Sequence, residues 1–114
     1  MMTKEMIDSA MKDYAKGAKE VYGDKLKEII LFGSCARGDF TDESDVDVMV
    51  LLDVPSDQIP EERVKLRPKR EELDEKYEYE LLFATVVRSY DEYLRHHDAS
   101  LFYKNVMGEG ISYA

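Results

Sequence analysis

From Thr3 to about Tyr22, apolar residues fall at Met6, Ile7, Ala10, Met11, Tyr14, Ala15, Ala18, Val21 and Tyr22, the spacing that lays one face of a helix on a core. Thr3 offers an N-cap oxygen and Gly23 a C-terminal stop, so the pattern predicts a helix between them. The period then changes. Lys25 to Phe32 reads as a short strand and Asp45 to Asp53 as a second, whose run of Val, Met and Leu predicts burial on both faces. Val54-Pro55-Ser56-Asp57 is a turn by residue type. Pro60 to Lys76 is charge-rich and helical in character, with Pro68 expected to kink or divide it near Arg67. Tyr77 to Val87 alternates, with Glu78 and Glu80 on one side and Tyr79, Leu81 and Phe83 on the other, and predicts a third strand. Ser89 or Asp91 caps a helix containing Tyr90, Tyr93 and Leu94. Leu101, Phe102, Tyr103 and Val106 predict a final core helix, followed by Gly108-Glu109-Gly110 and a short apolar tail, Ile111 to Ala114.

These elements fit one domain over residues 1–114, with enough apolar content for a single core. No apolar stretch approaches membrane-spanning length, and Met1-Met2-Thr3-Lys4-Glu5 lacks a basic region followed by an apolar run. The expectation is a cytoplasmic protein without membrane contact. The single cysteine, Cys35, forms no internal disulfide and suits a reducing compartment. With no histidine near it in sequence, a small neutral turn residue is a better reading of Cys35 than a nucleophile. The formal net charge is −9, concentrated in residues 31–60, which hold one Arg against seven acids. Nucleic-acid binders that grip phosphates present a basic face, so this balance argues against general nucleic-acid binding. Concentrated acid fits a divalent-cation site, or an acidic interaction surface.

The chemistry gathers in Gly33-Ser34-Cys35-Ala36-Arg37-Gly38-Asp39, followed by Ser44-Asp45-Val46-Asp47, with the two predicted strands on either side. Alternation along a strand puts Asp45 and Asp47 on one face, roughly 6.5 Å apart. Like charges so placed repel unless solvated or bridged by a cation. Hard carboxylate oxygens suit Mg²⁺ or Mn²⁺, ions that bind one or two carboxylates together with substrate phosphates. A glycine permits close backbone approach, and amides at a turn attract anions, so phosphate and metal are expected side by side. Taken singly, Gly33-Ser34 reads as a tight turn and the Asp pair as a solvated strand start; the combination between two apolar strands favours the site. Glu80, deeper in the predicted third strand than Glu78, is the natural third carboxylate, or else an edge-strand acid facing water. Arg63, Arg67 and Arg70 share a helical face, as do Lys65 and Lys69, which reads first as a solvated face paired with neighbouring glutamates. His96 and His97 are adjacent, point about 100° apart on a helix, and make no joint metal pair.

Gly33-Ser34, with ten residues before Asp45-Val46-Asp47, resembles the nucleotidyltransferase superfamily of DNA polymerase β. More narrowly the chain is similar to the minimal nucleotidyltransferases, short proteins often paired with a HEPN-domain ribonuclease toxin. The likeness extends through Tyr79-Glu80-Leu81 and the ending Phe102 to Val106 and Glu109-Gly110. It implies the nucleotidyltransferase fold, an α/β (α+β) arrangement with a small mixed central sheet of at least three strands flanked by helices. It implies two Mg²⁺ ions on Asp45 and Asp47, with Glu80 in the place of the third carboxylate, which in the family is frequently Asp. Gly33 and Ser34 would hold ATP phosphates, with Arg37 near them. The acceptor surface would come from a partner, a HEPN toxin modified on a hydroxyl. Two other readings stay open: a module that neutralises its partner by occlusion, and a small-molecule nucleotidyltransferase that dimerises to form its cleft.

Overall fold

The computed structural model describes residues 1–114. Helix α1 spans Lys4–Tyr22, capped by the Thr3 side chain accepting from the Met6 amide and stopped by Gly23 at φ 58°. Its face of Ile7, Ala10, Met11, Tyr14, Ala15, Ala18 and Tyr22 is buried, as the period predicts. Strand β1 (Leu26–Phe32) and strand β2 (Val46–Leu52) follow, separated by the four-residue helix α2 (Ser34–Arg37). Helices α3 (Ile59–Lys65) and α4 (Arg67–Lys76) lead to β3 (Phe83–Ser89), and α5 (Tyr90–His96) and α6 (Leu101–Glu109) lead to a two-residue strand, β4 (Ile111–Ser112). Pro68 lies in the first turn of α4, so the expected division falls at Leu66, where a proline is tolerated because the first-turn amide needs no partner.

The sheet order is β3-β2-β1-β4, with β1 antiparallel to both β2 and β4, and β2 parallel to β3. This is the mixed, helix-flanked sheet expected, with β4 added from the apolar tail. Alternation divides β2 between two cores. Val46, Val48, Val50 and Leu52 join Ile29, Leu31 and Val87 against α1, Ile59 of α3 and Leu73 of α4 in a cluster of 20 buried residues. Met49 and Leu51 turn the other way, with Ile30, onto Tyr93 of α5 and Tyr103 and Val106 of α6, a cluster of six. Burial of each such side chain contributes about 1.5–3 kcal/mol, so the central strand is pinned from both sides.

The structure corrects two sequence expectations. The third strand begins at Phe83, not Tyr77. Tyr77 to Leu82 instead leaves α4 through a turn in which Glu78 (φ 54°) and Tyr79 (φ 61°) are both left-handed, a backbone that no strand can hold. The turn is fixed by the Tyr79 amide donating to the Asp74 carbonyl at 2.8 Å and by the Tyr77 hydroxyl donating to Asp13 at 2.8 Å. Its alternating Tyr-Glu-Tyr-Glu therefore reflects a turn with one aromatic anchored on α1. In α6, Tyr103 and Val106 are core residues, but Leu101 is 74% and Phe102 43% exposed, because one side of this helix faces away from the sheet. Phe102 still packs on two rings, that of Phe32, edge-on at 5.6 Å, and that of its neighbour Tyr103 at 5.7 Å.

Candidate active site

The turn between β1 and β2 is built by its glycines. Gly33 sits at φ 73°, and a Cβ there would collide with Oδ2 of Asp47. Glycine thus answers two demands, a left-handed backbone and the contact with a carboxylate. The Gly33 carbonyl accepts the amides of Ala36 and Arg37 at 3.1 Å each, closing the short helix, which Gly38 ends at φ 90°. The amides of Ser34 and Cys35 bond to no backbone carbonyl. Cys35 is buried, its thiol donating to the Asp45 carbonyl at 3.4 Å, a link that ties the turn to the start of β2. Burial pushes that thiol up, and the charge of Asp47 adds to the shift, which accords with a packing role for Cys35.

Asp45 is exposed just before β2, and Asp47 is half-buried within it, paired in register with Phe32 on one side and Ala84 on the other. Asp47 lies on the same face as Met49 and Leu51, the side covered farther along by α5 and α6. Burial pushes the Asp47 carboxyl up from 3.8, the neighbouring charge of Asp45 adds to this, and Arg37 offsets part of it. Two carboxylates in mutual repulsion, one held against a bare glycine backbone, form a donor set suited to a hard cation.

Arg37, half-exposed, ends the short helix of the same turn. Its Nε donates to Asp39 Oδ2 at 3.3 Å and its Nη1 to Glu109 Oε1 at 3.2 Å. Gly33, Ser34, Arg37, Asp45 and Asp47 are thus brought to one end of the sheet. Glu80 is not on the strand assigned to it. It precedes β3, is 44% exposed, and its carboxylate lies 3.6 Å from the amino terminus of Met1. No group of three or more His, Cys, Asp or Glu is placed to hold a metal ion, and the β3 residue beside Asp47 is Ala84. Lys65 and Lys69 are ion-paired with Glu62 and with Glu20 and Glu72, the ordinary fate of a charged helix face. His96 and His97 close α5, with His97 Nδ1 3.1 Å from Asp98.

Glu109 is the residue near the site to which sequence reasoning gave no role. Its signal, the Glu109-Gly110 pair of the tail, is visible, but a contact across 72 positions is not.

The nucleotidyltransferase domain family model matches residues 11–110. A protein of Methanocaldococcus jannaschii named as a candidate protein adenylyltransferase is 34% identical over 103 residues, 90% of this chain and 93% of that protein. A second from the same organism, similarly named, is 48% identical over 46 residues, 40% of this chain and 46% of its own length. Protein adenylyltransferase MntA of Thermococcus cleftensis is 39% identical over 57 residues, 49% of this chain and 56% of its own length.

Proposed function

The chain belongs to the nucleotidyltransferase domain family, and on that premise we propose that it moves AMP from ATP to a hydroxyl of a partner protein, a HEPN-domain ribonuclease toxin, with release of pyrophosphate and the hydroxyl proton, and so silences it. The observation that carries this reading is the contact between Asp47 and Gly33, which leaves no room for a side chain between carboxylate and turn. A phosphate at the turn would then lie against the acid that repels it unless a cation intervenes. Asp45 and Asp47 would hold Mg²⁺, or Mn²⁺, and bound there the ions would stabilise the entering and leaving oxygens of an in-line displacement. The Ser34 hydroxyl and the amides of Ser34 and Cys35 receive phosphate oxygens, and Arg37 offers guanidinium donors to the same group. The overall charge of −9 favours a basic partner, and the names carried by the similar proteins favour a protein acceptor.

The test is calorimetric titration of ATP into the protein with and without Mg²⁺, repeated on the double variant Asp45→Ala, Asp47→Ala. The expected result is binding that requires Mg²⁺ and is lost in the double variant, with added AMP on a co-expressed HEPN protein by mass spectrometry. Metal-independent binding that survives both substitutions would sink the reading. Neutralisation of the toxin by Asp45→Ala at wild-type strength would transfer it to the occlusion module.

A further inference from the structure

We propose that Glu109 is a positioning residue for Arg37, and that through Arg37 it orients the phosphates of the nucleotide. The inference rests on the reading of the Gly33–Asp47 turn as the phosphate site.

Arg37 ends a helix of only four residues, so its backbone gives the long side chain little support. What aims the guanidinium is the pair of carboxylates, Asp39 on Nε at 3.3 Å and Glu109 on Nη1 at 3.2 Å. Asp39 is two residues away and moves with the turn. Glu109 belongs to a different part of the fold, and it is fixed there.

It closes α6, and Gly110 next to it makes the fixation possible. A Cβ on Gly110 would collide with the Ile30 side chain and the Val106 carbonyl, and the Gly110 amide donates to that carbonyl at 2.8 Å. The chain then pairs with β1, Ile111 with Leu31 and Ser112 with Ile30, while the Tyr113 amide donates to the Ile29 carbonyl at 2.8 Å. The end of α6 is therefore clamped to the strand that runs into Gly33. Glu109 references Arg37 to the sheet rather than to its own turn.

A guanidinium carries five N–H donors in a rigid fork. With Nε and one Nη1 hydrogen engaged, three donors remain, and the rigid fork keeps them in one plane, the arrangement that matches phosphate oxygens in pairs. Arg37 ends the short helix that Gly33 begins, and Gly33 is the residue against which Asp47 packs, so the fork and the carboxylate belong to one turn. The Glu109-Gly110 ending thus has a physical reason, with glycine for the close approach to β1 and glutamate for the arginine it then reaches.

Titration of Mg²⁺-ATP into the wild type, Glu109→Ala, Arg37→Ala and the double variant tests this. Loss of the positioning contact should weaken ATP binding about tenfold, the scale on which outer-sphere partners act. Arg37→Ala should weaken binding at least as much as Glu109→Ala, and the double variant no further than Arg37→Ala. In steady-state kinetics the loss should appear in KM for ATP with kcat retained, and thermal melting should stay at the wild-type value. Glu109→Asp, with the same charge on a shorter arm, should fall between wild type and Glu109→Ala. It serves alone if the alanine variant folds poorly, because a purely electrostatic role predicts no change for it. ATP binding by Glu109→Ala at wild-type strength overturns the proposal. Tighter binding also overturns it, since Glu109 would then compete with phosphate for Arg37. A wild type that binds no ATP removes the nucleotide reading and this one with it.

Discussion

Glu62 and Asp47 both lose water on folding, the first almost wholly and the second in part, and they are treated in opposite ways. Glu62 on α3 is 5% exposed, and its Oε1 accepts from Lys25 at 3.2 Å and Lys65 at 3.1 Å. Burial acts to raise its carboxyl, but the two lysines outweigh it and hold the group below 4.5. Asp47 is less buried, yet the charge that acts on it most strongly is another aspartate, and its carboxyl is raised. The charge of the first acid is balanced by the chain, through Oε1 alone. The second keeps a repulsion that the chain offsets only in part, through Arg37, which is the condition expected of the proposed cation site.

The largest effect should follow from Asp47→Asn. The substitution keeps shape and removes charge, so transfer should fall by more than the roughly 10–100-fold that loss of an outer-sphere metal partner brings, while the fold persists. Linkage fixes the sign of the stability change. An acid whose folded value is raised costs stability once the pH exceeds that value, and the cost disappears in acid. Urea denaturation should therefore show Asp47→Asn at least as stable as wild type at neutral pH, with the difference closing as the pH falls through the carboxylate range. An unfolded variant would mean that Asp47 is structural and that the contrast with Glu62 is false.

Much of this contrast was legible in the sequence. The spacing from Gly33-Ser34 to Asp45-Val46-Asp47 located the turn, and the uninterrupted apolar run after Asp47 placed the acids at the mouth of a buried strand. Helix α1 was legible because seven of its apolar positions do face the core. Glu62 was not, because a glutamate amid Glu61, Arg63 and Lys65 looks like any solvated helix residue until Lys25, 37 positions away, is seen to reach it. The turn at Glu78 and Tyr79 was hidden for another reason. Alternation reports the side-chain pattern and carries no sign of φ, so two left-handed residues passed as strand. Strand β4 is too short to have a period at all.

Glu62→Gln sharpens the comparison from the other side. The lysines it would release are half-exposed and recover water, so the cost should be about 1 kcal/mol rather than that of a fully buried pair. Its pH signature should oppose that of Asp47. The stability Glu62 contributes is present above 4.5, the usual value, and is lost as the pH falls through its lower folded value. The difference between wild type and Glu62→Gln in urea midpoint should therefore shrink on acidification from the side of higher wild-type stability. A variant more stable than wild type at neutral pH would show that burial, with Oε2 left without a partner, outweighs both lysines.

The smallest effect should be that of Glu80→Gln, and it bears on how many carboxylates the site needs. If Glu80 lay on β3 beside the aspartates, neutralising it would resemble Asp47→Asn. It lies instead ahead of the strand, paired at the surface with the amino terminus, an arrangement worth about 0–1 kcal/mol. Ala84 occupies the β3 position next to Asp47 and offers no ligand. Glu80→Gln should thus keep stability within about 0.5 kcal/mol and leave Mg²⁺-ATP titration and transfer near wild type. Transfer lost with ATP binding intact would mean that the turn from Tyr77 to Leu82 refolds during the reaction and carries Glu80 to the pair. The strained backbone at Glu78 and Tyr79 would then be the hinge of that movement. Transfer retained leaves Asp45 and Asp47 as the acids that matter, with any further ligand supplied by the nucleotide or by the protein that accepts it.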